Sequence, residues 1–263
     1  MTDETLTGFE QDSFTHDGKT RIIYRSGEGP AVIVMAEMPG ITPRVADFAR
    51  RVVGIGCSAI MPVLFGAPGA KPSVSAYMRS IVPACISKEF AAFAIGRTAP
   101  VTDWLRALAR SEHQRCGGPG VGAVGMCFTG GFALGMMVDE SLIAPVLSQP
   151  SLPIGPRAAA KRDLHLSPED LARVKHRTLD DGVCVLGLRF TGDRLSPPER
   201  FESLRRELGD RFIGVEIDSS PGNPYGIRKQ AHSVLTEDLV DERGHPTHDA
   251  LNRVLDFLRD RLL

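Results

Sequence analysis

Three side chains in this sequence have the types and the chain order that covalent acyl chemistry needs. Cys127 sits in VGMCFTGG, residues 124–131, with Gly125 two positions before it and Gly130 and Gly131 just after. A thiol attacks a carbonyl as the thiolate, so it needs a base to take its proton and a carboxylate to fix that base's tautomer. Asp193, in TGDRLSP, and His232, in QAHSVL, follow it in the order nucleophile, acid, histidine. A Gly-x-nucleophile-x-x-Gly turn between a strand and a helix is a nucleophile elbow, where small neighbours let strand and helix approach. A packing cysteine beside a glycine-rich helix start would leave the same letters. The two partners favour the nucleophile, because each falls in a loop after an apolar strand, where the catalytic groups of parallel sheets gather.

The other candidates fit less well. His16 precedes the core strands, and His113 lies in a helical pattern. His165 and His176 lie in a basic stretch, and His245 and His248 flank the last helix. Asp181 comes before its strand. Cys57 and Cys184 read as packing, and Cys85 and Cys116 lack a glycine turn. Glu37 ends the apolar run VIVMAE. A carboxylate there is costly to bury without partners, so it signals a polar cavity at the strand's end or a solvated loop.

The elements that must carry these groups alternate along the chain. The segment 8–27 reads as a hairpin turning at Asp17-Gly18. PAVIVMAE, CSAIMPVLFG, GVGAVGM, APVLSQ, GVCVLGLRF and RFIGVEI read as core strands, the continuous apolar kind buried on both faces. Helical periods lie at PRVADFARRVVG, at TDWLRALARSEHQRC with Thr102 as its cap, at FTGGFALGMMVD, at PPERFESLRREL and at the C-terminus. Residues 66–83 read as loop with helical pieces. This pattern predicts an α/β fold, a mostly parallel central sheet with helices on both faces, as one domain over 1–263 with an insertion at 150–178.

Composition narrows the partners. With a formal net charge of −1, no global field draws the chain to nucleic acid or anionic lipid. No window approaches the ~20 apolar residues of a membrane span. The start, MTDETLTGFEQD, has no cationic region leading into an apolar stretch, and the five cysteines show no CxxC spacing. A cytoplasmic protein, monomer or homodimer, acting on a small molecule is the expectation.

VIVMAEMPG, GMCFTGG, FTGDRLSP and AHSVL together resemble the dienelactone hydrolase family, small cysteine hydrolases of the α/β-hydrolase fold. The resemblance spans roughly residues 20–260. It implies a triad of Cys127, Asp193 and His232, and a glutamate, Glu37, that interacts with the resting cysteine and helps control formation of the thiolate. It also implies an oxyanion hole from the backbone amides of Met38 and Phe128. It implies no metal or organic cofactor. Two positions depart from the family pattern. Thr129 stands where a glycine is usual, and Thr236 stands where dienelactone-cleaving members carry an arginine for the substrate carboxylate. Losing that charge-assisted grip corresponds to ~1.5–3 kcal/mol of binding. Thr236 and Arg79 are carried forward as substrate-contact positions, with Lys88 and Arg97 as further cations before the elbow. The implied activity is hydrolysis of a small ester or lactone. A thioester or other activated acyl substrate, or a non-catalytic ligand binder that senses oxidants through Cys127, are the alternatives.

Overall fold

A computed structural model describes residues 4–70, 73, 75–80, 88–90, 95–151 and 158–263. The hairpin comes first: β1 (Glu10–His16) and β2 (Lys19–Ser26) pair antiparallel. Both turn residues, Asp17 and Gly18, have positive φ, 47° and 72°, the backbone that a two-residue turn matched to strand twist requires. The core strands follow: β3 (Ala31–Met35), β4 (Ser58–Pro62), β5 (Val121–Met126), β6 (Leu142–Ser148), β7 (Val185–Phe190) and β8 (Phe212–Ile217). They form one eight-stranded sheet in the order β1-β2-β4-β3-β5-β6-β7-β8. Every pair from β4 to β8 along that order is parallel.

The helices are α1 (Pro43–Gly54), α2 (Val101–Cys116), α3 (Gly130–Met136), α4 (Ala158–Arg162), α5 (Pro168–Leu179), α6 (Pro198–Leu208) and α7 (Pro246–Leu262). Two apolar layers result. One gathers Trp104, Leu105, Phe132, Leu134 and Phe201; the other gathers Phe48, Val52, Leu251, Val254 and Leu258. Strands β3 to β5 and β7 are buried along their whole length, which is why β3 and β5 read as unbroken apolar runs rather than alternating ones. Among the described residues no helix is long and apolar enough to cross a membrane.

Two local expectations are corrected. Thr102 does not cap α2: the helix starts at Val101, behind Pro100, and the Thr102 hydroxyl is buried without a partner among the described residues. Cys57 and Cys184 fall just before β4 and β7, not within them. Residues 158–178, from the stretch read as an insertion, supply α4 and most of α5 between β6 and β7; 152–157 lie outside the described residues, as does Cys85.

Candidate active site

The parallel register sets the site. Met35 pairs with Gly125, and Met126 with Ser148. The exits of β3, β5, β6 and β7 therefore lie side by side, carrying in turn Glu37, Cys127, Gln149 to Ser151, and Asp193. Met38 and Phe128, each three residues past the Met35–Gly125 pair, leave neighbouring strand ends.

Cys127 opens a single 3₁₀ turn, Cys127–Thr129, between β5 and α3, with φ of 54°. A left-handed backbone at a non-glycine residue costs ~1–3 kcal/mol and persists only where its surroundings enforce it. Here the enforcement is steric. A Cβ on Gly125 would lie 2.2 Å from the Thr129 carbonyl oxygen, so only glycine lets the helix start sit against the strand. Thr129 itself is fully buried. Its hydroxyl accepts from the Met126 amide at 2.8 Å and donates to the carbonyl of Met35 at 3.0 Å or of Met126 at 2.9 Å. The threonine that departs from the family pattern thus ties the end of β3 to the end of β5.

Asp193 and His232 meet over the exit of β7. The His232 Nδ1 lies 2.7 Å from Asp193 Oδ2, and the other carboxylate oxygen accepts from the Leu195 amide at 2.8 Å. The histidine's own loop is fixed from below by Asp238, which accepts from the amides of His232 and Ser233 at 2.8 and 3.1 Å and pairs with Arg228 at 2.6 Å. The far nitrogen, Nε2, is buried and makes no hydrogen bond among the described residues. Burial alone lowers the pKa of this imidazole. The charge of Cys127 close by, and the bond to Asp193, outweigh it and push the value up to about 11. Cys127 thus lies near enough to favour the imidazolium.

Glu37 is 3% exposed. Its carboxylate accepts from the Ser233 hydroxyl at 2.7 Å, from the Gln149 amide at 3.2 Å and from the Thr236 hydroxyl. Burial raises its pKa, against the pull of the Thr236 bond and the nearby His232. The contact to the sulfur comes from elsewhere: the Ser151 hydroxyl lies 3.0 Å from Cys127 Sγ. Thr236 is 1% exposed and spends its hydroxyl on Glu37. Arg79 lines a cavity of about 410 Å³ with Pro39, Gly40 and Ser80, behind the turn that follows Glu37. A separate cleft of about 320 Å³ is lined by Asp193, Arg194, Leu195, Lys229 and His232.

A family model described as the dienelactone hydrolase family matches residues 20–262. The chain belongs to the dienelactone hydrolase family. Solved structures carry the same fold. One is a dienelactone hydrolase-like promiscuous phosphotriesterase from metagenomic libraries, at 15% identity and a TM-score of 0.62, covering 97% of this chain and 98% of that one. Another is a cold-adapted esterase from an Arctic intertidal metagenomic library, at 16% identity and 0.58, covering 97% and 94%. A thioesterase domain from the curacin biosynthetic pathway follows at 9% identity and 0.56, covering 94% and 99%. No curated protein matches by sequence. The dienelactone hydrolase family is a family of hydrolases, and this member is an enzyme of that kind. At these identities its neighbours speak for the fold, which hosts several chemistries, so the substrate has to be argued from the site.

Sequence reasoning did not find Ser151, Gln149, Ser233 or Asp238. The first two follow β6, which borders the strand leading to Cys127, and position after such a strand is the signal that could have found them. Asp238 reaches two amides of the histidine loop, and five residues of unpatterned sequence separate it from His232.

Proposed function

We propose that this protein hydrolyses small carboxylic esters or lactones by covalent catalysis at Cys127. The reading rests on one observation above the others: His232 is held by Asp193 at 2.7 Å through Nδ1, while its buried Nε2 has no nitrogen or oxygen partner among the described residues and feels the charge of Cys127. An imidazole so oriented can take the thiol proton at Nε2. The sulfur then attacks the carbonyl carbon, and the amides of Met38 and Phe128 receive the oxyanion. Collapse expels the alkoxide, which takes the proton from His232 Nε2 and leaves an acyl thioester. His232 next removes a proton from water, the hydroxide attacks the thioester, and collapse frees the acid and the thiolate.

The substrate need not carry a carboxylate, because the residue at the family's arginine position, Thr236, gives its hydroxyl to Glu37. We expect kcat/KM for a neutral ester to equal or exceed that for a matched anionic one. A strong preference for the anion would point instead to Arg79, or to Arg194 and Lys229 beside the triad. Cys57, Cys116, Cys127 and Cys184 are all free thiols, which suits a reducing cytoplasm. Hydrolysis of 4-nitrophenyl acetate by the wild type and by Cys127→Ala tests the reading. Activity confined to the wild type supports it, and equal activity refutes it.

A further inference from the structure

The family resemblance assigns the contact with the resting sulfur to a glutamate, yet here Glu37 accepts three donors from the side of the histidine loop and of Gln149. The group that does reach the sulfur is Ser151. Its hydroxyl lies 3.0 Å from Cys127 Sγ and 3.2 Å from the Gln149 carbonyl, and its single proton serves one of these at a time. Its amide donates to the Cys127 carbonyl at 3.0 Å, so the residue is fastened to the nucleophile by its own backbone. The preceding residue packs against the elbow: a Cβ on Gly130 would come within 2.7 Å of the Pro150 side chain. Ser151 is 6% exposed, which keeps competing water off its hydroxyl.

We infer that Ser151 is a catalytic residue that holds Cys127 as the thiolate before substrate arrives, making the sulfur contact that Glu37 does not make. The inference rests on Cys127 being the nucleophile. A hydroxyl donates far more strongly to an anion than to a neutral acceptor. With a neutral thiol the proton is best placed on the Gln149 carbonyl; with a thiolate it turns to the sulfur. The hydrogen bond therefore favours the charged form, and the charged form alone. No proton is lost in the exchange. The one that leaves Sγ resides on His232 Nε2, and Ser151 keeps its own. Glu37, held by Ser233, Gln149 and Thr236, needs no displacement for the thiolate to form.

Alkylation by iodoacetamide tests this without any knowledge of the substrate: the sulfur displaces iodide from carbon, and the rate follows the thiolate. Peptide mass spectrometry separates Cys127 from the other thiols. Ser151→Ala is expected to slow alkylation of Cys127 at neutral pH on the order of tenfold, the worth of one hydrogen bond to a charged group. Ser151→Thr, which keeps the hydroxyl, is expected to restore most of the rate, and both variants should melt as cooperatively as the wild type. A well-folded Ser151→Ala alkylated at the wild-type rate overturns the inference, as does a slowing that Ser151→Thr leaves unrelieved. Failure of the hydrolase reading shows differently, as ester turnover by Cys127→Ala, whatever the alkylation rates.

Discussion

Replacing Asp193 by asparagine tests how the histidine is held, and the structure fixes what the amide must do. One carboxylate oxygen accepts from the Leu195 amide at 2.8 Å, and the other faces His232 Nδ1 at 2.7 Å. An asparagine can satisfy the Leu195 amide only with its oxygen, which turns its NH₂ toward Nδ1. Two donors cannot face each other there, so the imidazole takes the tautomer with its proton on Nε2. That nitrogen can no longer accept the proton of Cys127. The carboxylate charge that supports the imidazolium is lost as well. In a serine triad the same substitution lowers kcat by about 10⁴, and a loss of that order is expected here with KM little changed. Stability should move far less. Losing one charge-assisted bond costs about 1.5–3 kcal/mol, partly offset by removing a buried charge, and the melting temperature should fall by no more than about 4–8 °C. Steady-state hydrolysis of a nitrophenyl ester, with a melt of the same sample, makes the comparison. A folded Asp193→Asn within tenfold of wild-type kcat would refute the tautomer argument.

Gly125→Ala sets a Cβ against the Thr129 carbonyl group, which is backbone and cannot rotate away. A loss of about 3 kcal/mol in a urea melt, with activity abolished, is expected. Thr129→Val keeps the volume but leaves the buried Met126 amide without its acceptor; stability should drop about 1–3 kcal/mol, and kcat should fall more than KM rises, because the strand ends carrying the Met38 and Phe128 amides come untied. Glu216 provides a pH test. Burial would raise its carboxyl, but hydrogen bonds from Arg205 and from the buried Arg189 outweigh that and hold it below the usual 4.5. A lowered native pKa gives stability that is present above 4.5 and lost as pH falls through the native value. Glu216→Gln should therefore lower the melting temperature at neutral pH, and the difference should shrink progressively as pH falls below 4.5; a uniform effect across that range would contradict the assignment.

What could be read from the sequence was whatever leaves a local trace. The elbow was legible because its geometry forbids a side chain at Gly125, and that demand is written as a glycine. The parallel strands were legible because burial on both faces removes polar residues from β3 and β5. Asp193 and His232 stood out through their order after Cys127 and their positions in loops after apolar strands. Thr102 misled because cap preference and the interior of α2 allow the same residue, and the choice fell to Pro100 and the packing of Trp104 and Leu105. The partners of Glu37 left no trace. Whether that carboxylate turns to the thiol or to Thr236 is decided by donors roughly 110 and 200 residues away. Ser151 was invisible for the same reason: a serine after a proline is an ordinary loop residue until β6 settles beside β5.

Covalent catalysis at Cys127 requires the acyl group to pass through its sulfur. Its most direct test is to quench the enzyme in acid during turnover of 4-nitrophenyl acetate and locate the acetyl group by peptide mass spectrometry. A thioester on the peptide containing Cys127, absent from Cys127→Ala, is the expected result. An acetyl group found on another residue, or steady turnover by Cys127→Ala at the wild-type rate, would contradict it.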